Sequence, residues 1–295
     1  MKRILITAVL TAALILTGCQ SANTNATSAE TAAATQAVTA ETTAAATEAA
    51  VTTAAATTKA AREKLLPLTE NTSGMVQIQT VSGSVTYKYN SYIITSAGGE
   101  TVIVDPTEMP GKDVIDLNPA AIVNTHAHGD HNDLAYSDSY DCQKLPYIAG
   151  DFNTEDFHIY TVASAHSSDT ILDPPDNFII VFEVDGLRIA HMGDIGQETL
   201  TEEQLDAIGP IDIAFMQFNN SFSSMSLKNM KGFNLIEQLN PKIIIPTHYA
   251  KADLPLFDEK YGGTTEFENV LTVSAEDLPE DTMNVYMITN THYYR

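Results

Sequence analysis

The segment Thr125-His126-Ala127-His128-Gly129-Asp130-His131 places three imidazoles and one carboxylate within six residues. It follows the apolar run Ala121-Ile122-Val123, a pattern that predicts a buried strand ending in a polar loop. Imidazole nitrogens suit Zn²⁺ and similar divalent ions, and an interleaved carboxylate suits a harder set of ligands. The spacing H-x-H-x-D-H therefore predicts a loop that can supply ligands to two metal ions.

With this motif at a strand end, the chain resembles the metallo-β-lactamase superfamily. The resemblance implies an α/β fold, the αββα sandwich, in which two mixed β-sheets are flanked by helices. Three later loops match the family's remaining ligand positions, each just past an apolar strand, and they carry His166, Asp194 and His248. The segment Pro246-Thr247-His248-Tyr249 resembles the compact branch related to ascorbate-6-phosphate lactonases. The resemblance extends over residues 75–249 and implies a metal-dependent hydrolase.

The resemblance also implies how the ligands divide between two divalent ions. One site takes His126, His128 and His166, and the other takes Asp130, His131 and His248. Asp194 bridges the two ions, which lowers the repulsion between cations about 3.5 Å apart. Two such ions acidify a shared water and supply hydroxide near neutral pH, and Asp130 is expected both to bind metal and to orient this nucleophile. Zinc is the first expectation for the metal, with manganese or iron as alternatives.

Residues that contact substrate are less clearly marked. Asn219 and Asn220 follow the predicted strand Ile211–Phe215 on the ligand face, so they are candidates to line the pocket, although turns explain an Asn-rich loop equally well. Tyr249 beside the last histidine is a candidate donor to an oxyanion. His191 lies inside a predicted strand and is expected to be buried and to support Asp194. The remaining histidines, His158 and His292, are expected to lie outside the site.

Residues 65–295 are expected to form one α/β domain, because short β-branched runs alternate with Gly, Pro, Asn and Asp. Helices are predicted at Thr201–Ile208 and Leu227–Leu239, and hairpin turns at residues 97–100 and 185–186. Strands are predicted at Met75–Thr80, Ser84–Tyr89, Tyr92–Thr95, Thr101–Val104, Ala121–Asn124, Phe157–Val162, Phe178–Glu183, Leu187–His191, Ile211–Phe215, Ile243–Pro246 and Val285–Ile288.

The first 64 residues read as a targeting and tethering segment. A basic start, Met1-Lys2-Arg3, precedes an apolar run that ends in Leu16-Thr17-Gly18-Cys19, which resembles a bacterial lipobox. Residues 1–18 are therefore predicted to be a lipoprotein signal peptide, and Cys19 the lipidated residue. The Ala- and Thr-rich residues that follow, up to 64, are predicted to be a disordered tether. The expected location is extracytoplasmic, anchored to the cell membrane, whereas an ordinary secretory signal is the alternative.

The net charge of the chain limits the kinds of partner that it can bind. The chain has 15 Lys and Arg against 38 Asp and Glu, a net charge of −23, so we expect no nucleic-acid partner. A small ester, lactone, amide or phosphodiester remains as substrate. Three alternatives stay open: a β-lactamase, a membrane-associated phosphodiesterase acting on lipid head groups, and a non-catalytic lipoprotein that binds metal or a solute.

Overall fold

The computed structural model describes residues 69–80, 82 and 90–289, which lie in one compact unit. Several predictions therefore lie outside the described residues, namely those for the signal peptide, Cys19, the tether, the strand Ser84–Tyr89 and His292. Among the residues that are described, no helix has the length and apolar character needed to cross a bilayer.

The described part of the chain contains fourteen strands and four α-helices. The strands are β1 (Val76–Gln79), β2 (Tyr92–Thr95), β3 (Thr101–Val104), β4 (Ala121–Asn124), β5 (Gln143–Pro146), β6 (Asp151–Asn153), β7 (Phe157–Ser164), β8 (Asn177–Val184), β9 (Leu187–His191), β10 (Ile213–Gln217), β11 (Ile243–Thr247), β12 (Thr264–Glu268), β13 (Val270–Val273) and β14 (Asn284–Thr289). The helices are α1 (Leu134–Asp138), α2 (Glu202–Ile208), α3 (Lys231–Leu239) and α4 (Leu254–Tyr261).

These strands form two mixed sheets. The first has six strands in the order β13-β1-β2-β3-β4-β5, and the second has eight in the order β12-β14-β11-β10-β9-β8-β7-β6. In the first sheet β1, β2 and β3 form an antiparallel meander, and β4 and β5 continue it in parallel. In the second sheet the parallel strands β9, β10, β11 and β14 adjoin the antiparallel β8 and β7. Both sheets are mixed, as predicted.

Successive side chains along a strand point to opposite faces of its sheet. They form one core between the two sheets and a further core on the outer face of each sheet. Ile94 packs in a cluster that joins both sheets, whereas its neighbour Ile93 packs on the outer face of the first sheet with Tyr136 of α1. In the second sheet Ile243 belongs to the inner cluster and Ile244 packs on the opposite face with residues of α3 and α4. Each fully buried side chain of this size contributes about 1.5–3 kcal/mol. The αββα sandwich predicted from the sequence is thus confirmed.

Most of the predicted elements form, but two of them begin appreciably later than predicted, and the structure also contains β5, β6, β12, β13, α1 and α4, which were not predicted. Both hairpin turns form: Ser96 and Glu100 pair across the first, and Asp185 and Gly186 have φ angles of 48° and 78° in the second. The helix predicted from Leu227 begins only at Lys231, because Met230 has a φ of 58°, outside the right-handed helical region. The strand predicted from Ile211 begins at residue 213.

Candidate metal centre

The predicted ligands lie in four loops that meet at one edge of the sandwich. The motif loop follows β4 of the first sheet, and the loops after β7, β9 and β11 of the second sheet carry His166, Asp194 and His248. The motif loop is closed on itself, because the His131 backbone N–H donates to the His128 carbonyl at 2.9 Å. The Asn124 amide also donates to the His131 carbonyl at 2.8 Å. These bonds hold the motif loop in a compact turn at the end of β4.

The seven side chains form two clusters that share one carboxylate. The first cluster holds His126, His128, His166 and Asp194, and the second holds Asp130, His131, Asp194 and His248. Within each cluster the potential ligand atoms lie within 4.8 Å of one another. This is the division that the resemblance implied.

Asp194 lies between the clusters and divides its oxygens between them. Oδ2 is 3.6 Å from Nε2 of both His126 and His166. Oδ1 is 3.1 Å from Nε2 of His248 and 3.4 Å from Nε2 of His131. One carboxylate therefore presents one oxygen to each group of histidines, which is the arrangement a bridging ligand requires.

The turn before Asp194 is built to hold it in place. The Asn177 side-chain oxygen accepts the Asp194 backbone N–H at 3.1 Å, and the Asn220 amide donates to Asp194 Oδ2 at 2.7 Å. Gly193 has a φ of 57°, and a Cβ there would lie 2.5 Å from the Asn177 oxygen and 2.7 Å from Thr125 Cβ. Only glycine allows this close approach.

Asp105 orients ligands of both clusters and was missed by the sequence analysis. It is fully buried after β3, and its Oδ2 accepts His131 Nδ1–H and the Thr125 hydroxyl, both at 2.7 Å. Because the hydroxyl proton is used in this bond, the Thr125 oxygen accepts His126 Nδ1–H at 3.0 Å. In both rings the Nδ1 proton is committed, so Nε2 remains available to a metal.

Several buried polar atoms of the site make no hydrogen bond, and they indicate whether these residues could bind a metal. Within the described part of the chain, Nε2 of His126, Nε2 of His166 and Oδ1 of Asp194 are buried and make no hydrogen bond. Buried polar atoms are normally paired, so two such nitrogens in the first cluster and one such oxygen that faces the second need an explanation. A divalent cation satisfies both nitrogen and carboxylate donors of this kind. The site therefore fits metal.

The protonation states of His126 and Asp194 also suit a bound cation. Burial lowers the pKa of His126 well below its ordinary value, and the neighbouring imidazole of His131 lowers it further. Burial also opposes charge on His131, but the carboxylates of Asp194 and Asp105 outweigh it and raise its pKa. Burial opposes charge on Asp194 too, yet the neighbouring imidazoles, His131 foremost, lower its pKa. Asp194 is thus anionic, and a cation bound here would compete with a proton for His131.

The other histidines fall where expected within the described residues. His191 is buried, its Nδ1 accepts the Gly193 backbone N–H at 3.1 Å, and burial lowers its pKa to about 4. It therefore supports the turn that carries Asp194. His158 lies on the surface between Asp151 and Glu183, each 2.9 Å from one ring nitrogen.

The three candidate substrate residues have other contacts. Asn220 bonds Asp194, as described above, and so positions a candidate ligand. The Asn219 amide donates to Asp253 at 3.3 Å, and the Tyr249 ring packs near Phe257 with ring centroids 6.3 Å apart. None of the three lines the pocket of about 420 Å³ that opens beside the first cluster. The residues that do line it include His128, Tyr147, Pro175 and Phe222.

Comparison with known families agrees with this geometry. Residues 85–248 match the family described as a beta-lactamase superfamily domain, and the match spans more than half of the chain. The chain therefore belongs to the metallo-β-lactamase superfamily.

The individual relatives have low sequence identity to this chain. A Staphylococcus carnosus (strain TM300) protein named UPF0173 metal-dependent hydrolase is 28% identical over 197 residues, or 54% of this chain and 82% of that protein. A proposed Zn-dependent hydrolase of the metallo-β-lactamase superfamily from Thermotoga maritima has a TM-score of 0.53 at 20% identity, covering 72% of this chain and 100% of its own. A proposed metal-dependent hydrolase from Parabacteroides distasonis ATCC 8503 has a TM-score of 0.51 at 18% identity, covering 72% and 92%. The structural likenesses establish the fold alone.

Proposed function

We propose that this protein is a dinuclear metal-dependent hydrolase acting on a small ester, lactone, amide or phosphodiester. The observation that carries the proposal is the position of Asp194, whose Oδ1 and Oδ2 face different groups of histidines. A carboxylate buried between two such groups favours a pair of cations over one. The name of the Staphylococcus carnosus relative, a metal-dependent hydrolase, agrees with this assignment.

The roles of the side chains follow from their contacts. Two divalent ions held here would acidify a water and polarise the bond to be hydrolysed. His126, His128 and His166 would hold one ion, and Asp130, His131 and His248 the other. Asp130 is the catalytic candidate because its side chain is 23% exposed and its Oδ2 lies 3.9 Å from both His131 Nε2 and His248 Nε2. It can bind metal and still accept a proton from the attacking water.

The native metal is proposed to be zinc, since five of the seven proposed ligands are imidazoles. Manganese or iron suits the second cluster almost as well, because it adds the Asp130 carboxylate. The compact lactonase-like branch remains the proposed subgroup, based on the His248 segment.

Metal content tests the dinuclear assignment. We expect about two divalent ions per chain in the purified protein, with His126→Ala and His248→Ala each losing one ion and keeping the other. Elemental analysis after dialysis gives the stoichiometry, and His158→Ala is the matched control because this histidine lies outside both clusters. One ion in the wild type, or full activity after complete chelation, would be incompatible with the proposal.

The location is a separate proposal, which rests on the lipobox-like segment. Cys19 would carry the lipid that holds the domain at the outer face of the cell membrane, within reach of a small-molecule substrate. We expect Cys19→Ser to move the protein from the membrane fraction to the soluble fraction or the medium, while Cys142→Ser leaves it in place. Fractionation and intact-mass measurement check this. A wild-type protein without a lipid mass would contradict it.

A further inference from the structure

The pocket beside the first metal cluster has two chemically different sides. His126, His128 and His166 form the metal-facing side, and Ala127, Tyr147 and Phe222 contribute to the other. The one charged side chain that lines the pocket besides the histidines, among the described residues, is the carboxylate of Asp176. No lysine or arginine of the described chain lines it. The pocket thus offers apolar surface and no cation besides a bound metal.

Phe222 is held at the rim of this pocket with its ring in solvent. Its side chain is 81% exposed, the highest value among the exposed large apolar residues of the described chain. Its backbone N–H donates to Asn220 Oδ1 at 3.0 Å, and the amide of that same residue donates to Asp194 Oδ2 at 2.7 Å. One asparagine therefore fixes the turn that carries Phe222 relative to the candidate bridging carboxylate.

Two other exposed apolar side chains are close in sequence to residues that line the pocket. Ile148 is 48% exposed beside Tyr147, and Leu172 is 51% exposed in the segment leading to the pocket residue Pro175. Tyr147 has a φ of 48°, unusual for a residue with a side chain. Exposed apolar residues scattered over a surface need no explanation, so the surface for an apolar ligand is assigned to the lining residues, chiefly Tyr147 and Phe222.

The negative charge of the chain and of the pocket indicates which apolar ligands are favoured. The chain carries a net charge of −23, and Asp176 lines the pocket while its Oδ1 accepts the His166 backbone N–H at 2.9 Å. An anionic substrate would meet this field without a basic side chain to compensate it. An uncharged substrate avoids that cost.

From these observations we infer that the pocket binds the apolar acyl group of an uncharged carboxylic ester or lactone, packed against Tyr147 and Phe222. The inference rests on the proposed hydrolase function and names its substrate class. In the reaction, the oxygen of water bonds to the acyl carbon and the acyl C–O bond breaks. The alcohol oxygen takes one proton of that water, and the alcohol leaves from an ester or stays on the opened chain of a lactone, while the acid forms as a carboxylate and a proton.

Binding of metal-directed probes tests the recognition without turnover. We expect the zinc-loaded protein to bind hexanohydroxamic acid on the order of tenfold more tightly than acetohydroxamic acid, because four added methylenes contact a partly open apolar pocket. In Phe222→Ala this preference falls to about twofold, because the aromatic surface is removed. Leu134→Ala is the control, since this residue is 48% exposed but does not line the pocket. Isothermal titration gives each affinity.

Turnover then tests the substrate class. We expect metal-dependent hydrolysis of p-nitrophenyl hexanoate to exceed that of the anionic p-nitrophenyl hydrogen succinate and of bis(p-nitrophenyl) phosphate. Equal affinity for the two hydroxamates, an unchanged preference in Phe222→Ala, or faster hydrolysis of either anionic compound would overturn the inference. If the chain-length preference is present but metal-loaded protein turns over none of the compounds, the recognition stands and the proposed hydrolase function fails.

Discussion

Asp194→Asn is expected to weaken both metal sites together and to reduce turnover on the order of 10²-fold or more. The amide keeps the size of the side chain but removes the negative charge that faces four imidazoles. Nε2 of His126 and of His166 lie 3.6 Å from one oxygen, and His248 Nε2 lies 3.1 Å from the other. Each ion would lose a charged ligand, and the repulsion between the two ions would no longer be reduced.

Competition with a chelator of known affinity measures this effect for each ion. We expect both dissociation constants to rise in Asp194→Asn, by more than the 10- to 100-fold typical of groups that only support a ligand. In His126→Ala one constant rises much more than the other. Asp151→Asn is the matched control, because this aspartate is 71% exposed and pairs with His158 on the surface. Loss of one ion alone in Asp194→Asn would contradict a bridging role.

The sequence was most informative where a residue follows a strongly apolar strand. β4, β9 and β11 are buried at every position or nearly so, and their ends were easily located from the sequence. The loops after them must meet at one edge of the sandwich, because these strands pack side by side or face to face. His126, Asp194 and His248 were assigned from the family resemblance, whose ligand positions come in this order, each just past such a strand.

Asp105 could not be assigned in the same way, because its role depends on strand pairing. Val104 pairs with Val123 in the parallel register of β3 and β4, and this brings the next residue, Asp105, beside Thr125. From the sequence alone, an aspartate before a proline reads as an ordinary turn. The available signal was its position directly after an apolar strand, the same signal that marked the metal ligands.

The sequence also could not distinguish the roles of two adjacent residues that follow a strand. Asn219 and Asn220 were equivalent candidates, yet one bonds Asp253 and the other Asp194. Which amide faces the site depends on the local backbone, which forms a short bridge between Asn220 and Met225.

The edge strands β6 and β12 were not predicted either, because they are largely exposed. Their sequences therefore lack the apolar runs that mark buried strands.

Asp130→Asn is expected to separate catalysis from simple capture. Among the candidate ligands with a carboxylate, Asp130 is the accessible one, with a side chain 23% exposed against 2% for Asp194. The asparagine keeps the shape but removes the negative charge and the basic oxygen that would take a proton from water. We expect kcat to fall on the order of 10²-fold or more at saturating metal, with hydroxamate affinity changed only a few-fold.

The measurement compares turnover and ligand affinity for the two proteins at equal metal content, checked by elemental analysis. Equal content is essential, because the variant also loses a negative ligand and binds metal more weakly. An enzyme loses rate far more than affinity, since the missing contact acts in the transition state. A lipoprotein that only captures metal or a solute would show weaker affinity and no turnover in either form. Equal turnover in wild type and variant would remove Asp130 from the mechanism, while inactivity of both at full metal content would favour the capture role.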